Sequence, residues 1–483
     1  MTKTPELQEQ HASFEGRIGV ARCDITPPVG IYSRMWGSAQ HDVAEGVHRA
    51  LTATVLTFAP TGAGQPLVLV QLDLGWWRRA EDEQFVRCAV LEALELDETR
   101  LVIALSHSHA GPSTSREHDD RPGGEKIKQY MFRLRESAID AARLALASAV
   151  PARLTWTTGR CDLARNRDLP SPGGNGTICG FNPHAPADDT LLLGRITDMH
   201  GTILATIVNY ACHPTTLGGR NRLISPDYVG AMREIVESNS GSAPCLFLNG
   251  AAGELAPREQ YVADTDVADR NGRQLGYAAL SALEGMLPSG TALRFDGIED
   301  SGAPLARWRR VSSSSATTFR AERIAVDLPL KDDLQSENVL RRLDTCDDRV
   351  ELERLERMLA LCQRFEHNHK SQVPVWLWQL GDAYLVFTPT EAHSALQTEL
   401  RRRFAQRAVV VTNIANGYFG YLPPANVYEK NSYQSTNSLF QPGCLELLTN
   451  ACAERIAQLD RQLPNSSAIE DISEPSSTES ELP

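Results

Sequence analysis

Short apolar runs bounded by polar or turn residues recur along this chain, clearest at 51–58, 66–74, 101–105, 191–198, 203–210, 375–380, 383–387 and 409–412. Runs of this length, rich in Val, Ile and Leu, predict buried strands, since an isolated helix needs ten or more residues with a 3.6-residue period. Further strands are predicted over 17–26, stopped by Pro27-Pro28, over 153–161, and near 246–248, 292–295 and 323–328. A helical period appears at 81–96, with Phe85, Cys88, Val90, Leu91 and Leu94 on the buried side, and again at 125–149, 266–287, 348–365 and 444–462. Another helix is predicted to open at Thr388-Pro389-Thr390-Glu391 and run to about 406. Strands alternating with helices predict an α/β fold, a layered mixed β-sheet with flanking helices.

The pattern changes character between about 289 and 370, which reads as an insertion or subdomain. The predicted catalytic unit is therefore 15–288 together with 371–463. The last stretch, 464–483, is rich in Ser, Glu and Pro and reads as a disordered acidic tail.

Composition narrows the function. The 483 residues carry a formal charge of −13, five acids of which lie in that tail. An acidic body argues against binding nucleic acid or anionic lipid, both of which need basic patches. No run reaches the roughly 18 apolar residues of a transmembrane helix. The N-terminus lacks a basic-then-apolar leader, so the expected location is cytoplasmic. Ten cysteines are scattered without a C-x-x-C pair, which is the usage of small buried hydrophobes in a reducing compartment.

The chemistry sits at strand ends. The run 101–105 delivers Ser106-His107-Ser108-His109-Ala110-Gly111-Pro112. If the strand persists that far, His107 and His109 share a face. Strand 203–210 ends in Ala211-Cys212-His213-Pro214, strand 383–387 leads to Glu391, and strand 409–412 leads to Tyr421. Loops at strand ends are where α/β folds place their sites. Two or three histidines with a carboxylate form the ligand set of a catalytic zinc. On chemistry alone the ligands are His107, His109, His213 and Glu391, and Tyr421 is a bystander. The leucine-rich stripe of 348–365 reads as packing. An H-x-H could also belong to an amidohydrolase barrel, but eight alternating β/α units are not found.

The chain also resembles a known family, the neutral (non-lysosomal) ceramidases. The resemblance rests on Gly19-Val-Ala-Arg-Cys-Asp-Ile-Thr-Pro-Pro28, Glu45-Gly-Val-His-Arg49 and the segment 106–112, which is similar to the family's T-H-T-H-S-G-P. Asn166-Arg167, His213 with Asn221-Arg-Leu-Ile-Ser-Pro-Asp227, the pair Tyr421 and Tyr433, and Phe440-Gln-Pro442 extend it over roughly 15–460, weakest in the middle. The resemblance implies Zn2+ held by His107, His213, Glu391 and Tyr421, with His109, Arg167 and Tyr433 acting on the substrate. It implies hydrolysis of a linear N-acyl amide of a small or lipid-like molecule, hence a place in lipid or sphingolipid metabolism. Two departures stand out. Gly253-Glu-Leu-Ala-Pro257 has alanine at Ala256 where the family carries serine, and no C-terminal β-domain is expected. Alternative readings are a zinc esterase or amidase on a small soluble metabolite, and a catalytically silent relative that binds a ligand.

Overall fold

The structure, a computed structural model, describes residues 7–332, 336–366 and 371–462; the predicted tail at 464–483 lies outside them. The first sheet has eight strands: β1 (Ser13–Asp24), β2 (Thr52–Ala59), β3 (Leu67–Leu72), β4 (Leu101–Leu105), β5 (Val150–Arg160), β6 (Thr190–Asp198), β7 (Ile203–Tyr210) and β8 (Cys245–Asn249). Their order is β8-β7-β6-β5-β1-β2-β3-β4. The second sheet is β9 (Phe319–Asp327), β10 (Gln372–Leu380), β11 (Ala383–Phe387) and β12 (Ala408–Thr412), in that order. The helices with them are α1 (Ala80–Leu94), α2 (Ile127–Ala147), α3 (Tyr228–Ser238), α4 (Thr265–Glu284), α5 (Arg349–Glu366), α6 (Ala395–Arg403) and α7 (Cys444–Arg461).

Most neighbours run antiparallel, but β3/β4, β7/β8 and β11/β12 are parallel. A parallel pair needs a crossover, and here α1, α3 and α6 supply it. The loops leaving these strands gather at one end of the sheets, as the strand-end motifs require.

Side-chain alternation makes the layers. Trp376, Trp378, Leu385 and Phe387 face Phe58, Leu69, Val102, Leu154 and Leu248, so the two sheets share one core. The opposite faces carry helices: α1 and α2 over Val55 and Val70, α6 and α7 over Val375, Leu377 and Val386, and α3 and α4 over Leu193, Val208 and Phe247. Within 289–370, Thr291–Asp300 and Pro304–Ser312 form a small separate sheet with Gln8–Glu9. The same region supplies β9 to the second sheet and α5 to the surroundings of the site. No described helix is long and apolar enough to cross a membrane.

One loop sews the sheets together. After β12, the Asn413 amide donates to Asn249 O at the end of β8 (2.9 Å). Leu105 N then donates to Ile414 O (3.2 Å), and the Asn416 side chain bonds the backbone of Ile103 and Leu101 on β4 (2.7 and 2.9 Å). Residues 413–416 thus satisfy the outer strands at both ends of the eight-stranded sheet, blunting its edges.

On α1 the buried positions are Asp82, Glu83, Val86 and Val90, whereas Cys88, expected inside, is exposed. The cause is polar: Asp82 pairs with Arg116 (2.7 Å) and Glu83 with Arg87 (2.6 Å), which turns the helix.

Candidate metal centre and active site

The backbone brings the histidines together differently from the expected strand alternation. β4 ends at Leu105, and His107 has φ 70, in the left-handed region. Its amide donates to Leu74 O (2.8 Å), and its Nδ1 contacts Gly75 O (2.9 Å). A turn, not a strand face, therefore sets the ring. His213 follows β7, with its amide on Leu255 O and its Nδ1 on Ala252 O (2.9 and 2.6 Å).

Glu391 is not the first turn of a helix. Glu391–Ala392 forms a two-residue strand parallel to Tyr421–Leu422, and α6 starts only at Ala395. The Glu391 amide donates to Gly420 O (2.8 Å), which commits this backbone to pairing. That pairing sets Glu391 and Tyr421 side by side.

The side chains converge. Glu391 Oε2 lies 2.9 Å from His213 Nε2 and 3.3 Å from His107 Nε2. The Tyr418 hydroxyl donates to Glu391 Oε1 (2.7 Å). Arg167 donates twice to Gly253 O, at 2.7 and 3.2 Å from Nη2 and Nε, and its Nη2 reaches Tyr421 Oη and His213 Nε2 at 3.2 Å each. Gly253 is required for this approach, since a Cβ there would meet Glu391 O at 2.9 Å. The Tyr421 and Tyr433 rings meet edge to face, 5.6 Å between centroids. All seven residues singled out from the sequence lie in this one cluster, every one buried except the half-buried His109 and Tyr433.

His107, His109 and His213 form a buried trio able to hold a metal ion, their ligand atoms within 4.8 Å of one another. Glu391 makes an overlapping set with His107 and His213, so proximity alone does not select the ligands. Hydrogen bonding separates them. A carbonyl oxygen only accepts, so Nδ1 of His107 and of His213 carries a proton and Nε2 is the atom each ring turns inward. Burial, with Arg167 beside it, pushes His213 down to about 3, so its Nε2 stays unprotonated at neutral pH. Two imidazole Nε2 atoms and a carboxylate oxygen thus face one another, a donor set that a divalent cation completes.

His109 differs. Its Nδ1 has no partner among the described residues, its Nε2 lies 3.4 Å from His107 Nε2, and its ring packs between Trp36 and Trp76, 5.0 Å from each. No backbone carbonyl orients it as one orients the other two. Burial, then the neighbouring His107, holds it well below its usual value, so it is neutral. Burial followed by Glu391 raises the Tyr421 hydroxyl well above its usual range, opposed by Arg167.

The sequence reading did not single out Tyr418, which orients Glu391, although it lies in Asn416-Gly-Tyr-Phe-Gly-Tyr421. It also missed Trp76, whose ring meets His107, His109 and Tyr418. An indole after Asp73-Leu-Gly75 carries no catalytic signal in a sequence. Ala256 is fully buried and paired with Arg165, and its neighbour Glu254 accepts hydrogen bonds from Ser394.

These features define a layered two-sheet α/β protein with an imidazole–carboxylate–phenol site at its strand ends. Residues 17–252 match the family model "Neutral/alkaline non-lysosomal ceramidase, N-terminal". The neutral ceramidase of Pseudomonas aeruginosa is 26% identical over 254 residues, covering 50% of this chain and 37% of that protein. The match thus spans well under half the length of the relative. A solved ceramidase complexed with C2 shares the fold, with TM-score 0.64 and 18% identity over 94% of this chain and 76% of that one. The crystal structure of neutral ceramidase from Pseudomonas aeruginosa gives TM-score 0.64 and 17% identity with the same coverage.

Proposed function

We propose that this protein is a zinc-dependent hydrolase of a linear N-acyl amide bond, with the ion held by His107, His213, Glu391 and Tyr421. The observation that carries this reading is the pair of Nε2 atoms turned towards Glu391 Oε2 while both Nδ1 atoms are tied to backbone carbonyls. A bound Zn2+ supplies a Lewis acid for the carbonyl and lowers the pKa of water to about 7.

The chain's own residues do the rest. Arg167, braced on Gly253 O, points a charged N–H at the centre and serves as oxyanion donor. His109 is neutral and, with Nε2 towards the centre, shares that role. Tyr433, edge-on to Tyr421, is placed to hand a proton to the leaving amine. Trp36 and Trp76 keep water from His109. Tyr418 holds Glu391 in one rotamer. Ala256 offers no hydroxyl, so no serine-assisted step is assigned there.

The family and its relatives support an amide of a ceramide-like lipid. Ala256 favours a second reading in which a smaller, more soluble amide is the natural substrate. Zinc quantification, followed by a screen of N-acyl amides of graded chain length including ceramide in detergent, tests both. Metal-dependent release of fatty acid is the expected result. Ceramide cleavage matching the best short amide would end the second reading, and a zinc-loaded protein inert on every amide would end the first.

A further inference from the structure

A second group of residues borders the site and takes no part in the chemistry above. Arg78, between β3 and α1, and Arg357, on α5, both lie over the ring of Trp76, with Cζ 5.0 and 6.0 Å from its centroid. Trp76 is the indole that packs on His107 and His109. Arg357 also lines a small cleft with Tyr418 and Tyr421. Both arginines line a cavity of about 270 Å3 whose wall also carries Arg121 and the acids Glu117, Asp120 and Glu356.

Neither guanidinium has a carboxylate within ion-pair distance among the described residues. The two acids of α5 whose charges reach Arg78 are engaged elsewhere, Glu353 with Arg34 (2.6 Å) and Glu356 with Arg121 (3.0 Å). Arg78 Nη2 donates to Arg34 O (3.2 Å), while its buried Nε has no partner among the described residues. Arg357 makes no hydrogen bond among the described residues. Two like charges are thus held half-buried on one indole. A cation–π contact is worth less than withdrawing an ion from water costs. The indole alone does not offset that cost, and the Glu391 carboxylate, whose charge reaches Arg357, faces the histidines of the centre; an anion between the arginines would complete the compensation.

We infer that Arg78 and Arg357 form an oxyanion subsite, and that the substrate is an N-acyl amide bearing a carboxylate or phosphate in place of the neutral headgroup of ceramide. The substrate part of this inference rests on the amide-hydrolase reading; the anion subsite stands apart from it. The fork of an arginine suits either oxyanion, and the cavity is sized for a small group, not a second chain. An acid there would sit one indole away from His109, close to the centre yet clear of it.

The test compares N-lauroylglycine, N-lauroylphosphoethanolamine and neutral N-lauroylethanolamine on the zinc-loaded protein. We expect kcat/KM for at least one acid to exceed the neutral amide by about 10- to 100-fold, the worth of a charged hydrogen bond. The acid with the larger ratio identifies the group. Arg357→Gln should collapse that ratio mainly through KM, and Arg357→Lys should restore part of it. Equal use of acid and neutral amides, or a ratio untouched by Arg357→Gln and Arg78→Gln, overturns the inference. If no amide is cleaved, calorimetry of inorganic phosphate and N-lauroylglycine on zinc-free protein still decides the subsite. Binding weakened about tenfold or more by Arg357→Gln supports it while the hydrolase reading falls, and binding that is absent or unchanged by the substitution refutes it. Should Arg357→Gln fail to fold, Arg357→Lys with sulfate competition against wild type replaces it: no competition, or equal competition in both proteins, counts against the subsite.

Discussion

The two sheets contribute to the site in opposite ways. The eight-stranded sheet supplies His107 and His213, each fixed by its own backbone amide and by Nδ1 on a carbonyl oxygen. The loops leaving β11 and β12 of the second sheet supply Glu391 and Tyr421 from a separate two-residue strand pair, where Tyr418 contacts one side chain and Arg167 the other. The first half is rigid and preformed, and the second is closed onto it by the loop 413–416. A site built this way can hold its nitrogen ligands through small changes in the second half, but cannot complete itself without it. Preorganisation of the first kind lowers the cost of binding an ion, and closure of the second kind excludes water from it.

That contrast can be broken most strongly from the second half. Glu391→Gln keeps the volume and removes the charge between the two imidazoles. Zinc content of the purified protein should fall from about one per chain to a small fraction, and turnover with it. Full zinc occupancy in this variant would show that the histidine trio, His109 included, suffices. Next come the substrate-facing groups. Tyr433→Phe should lower turnover by about 10²–10⁴, while Arg167→Ala and His109→Ala should lose about 10²–10³. All three should retain zinc by elemental analysis. Loss of zinc from His109→Ala would move that residue into the ligand set.

The rigidity of the first half has its own test. Asp73 is fully buried and meets Arg233 through two bonds of 2.6 Å. Burial opposes its ionisation, but Arg233 outweighs that and holds its pKa below the ordinary 3.8. Its contribution is therefore fully present above about pH 4 and is lost as pH falls through the folded-state value. Asp73→Asn leaves Arg233 buried without a counter-charge and should cost about 3–5 kcal/mol in denaturant unfolding at pH 7. A cost under about 1 kcal/mol would mean that the pair is not what stiffens this half. The smallest effect is expected of Ala256→Ser, which should leave turnover on the protein's own substrate within about twofold, since the reading assigns that position no step. A gain of about tenfold or more on ceramide would instead mark Ala256 as the block to that substrate.

Much of this was legible in the residues. Apolar runs of strand length, histidines just past them, and breakers such as Gly111-Pro112 and Pro214 located the His107 and His213 loops, because strand-end placement is a local property of the chain. Glu391 and Tyr421 were legible as strand-end polar residues, but the choice between Tyr421 and His109 as a fourth partner of the centre came from the family resemblance and not from spacing. The buried face of α1 was misjudged at Cys88, because hydrophobic periodicity cannot see that Arg87 and Arg116 turn Glu83 and Asp82 inward.

By itself, then, the chain's pattern determined which segments are strands, which helices lie between them and which polar residues end them, all of which follow from short-range periodicity. Only the tertiary structure decided that His107 sits in a left-handed turn, that Glu391 pairs with Tyr421 as strand and not as helix, and that Arg78 and Arg357 share one indole. Each of these joins residues far apart in the chain through a backbone bond or a ring contact. Their geometry is set by how two sheets close on each other, which no local window of residues contains.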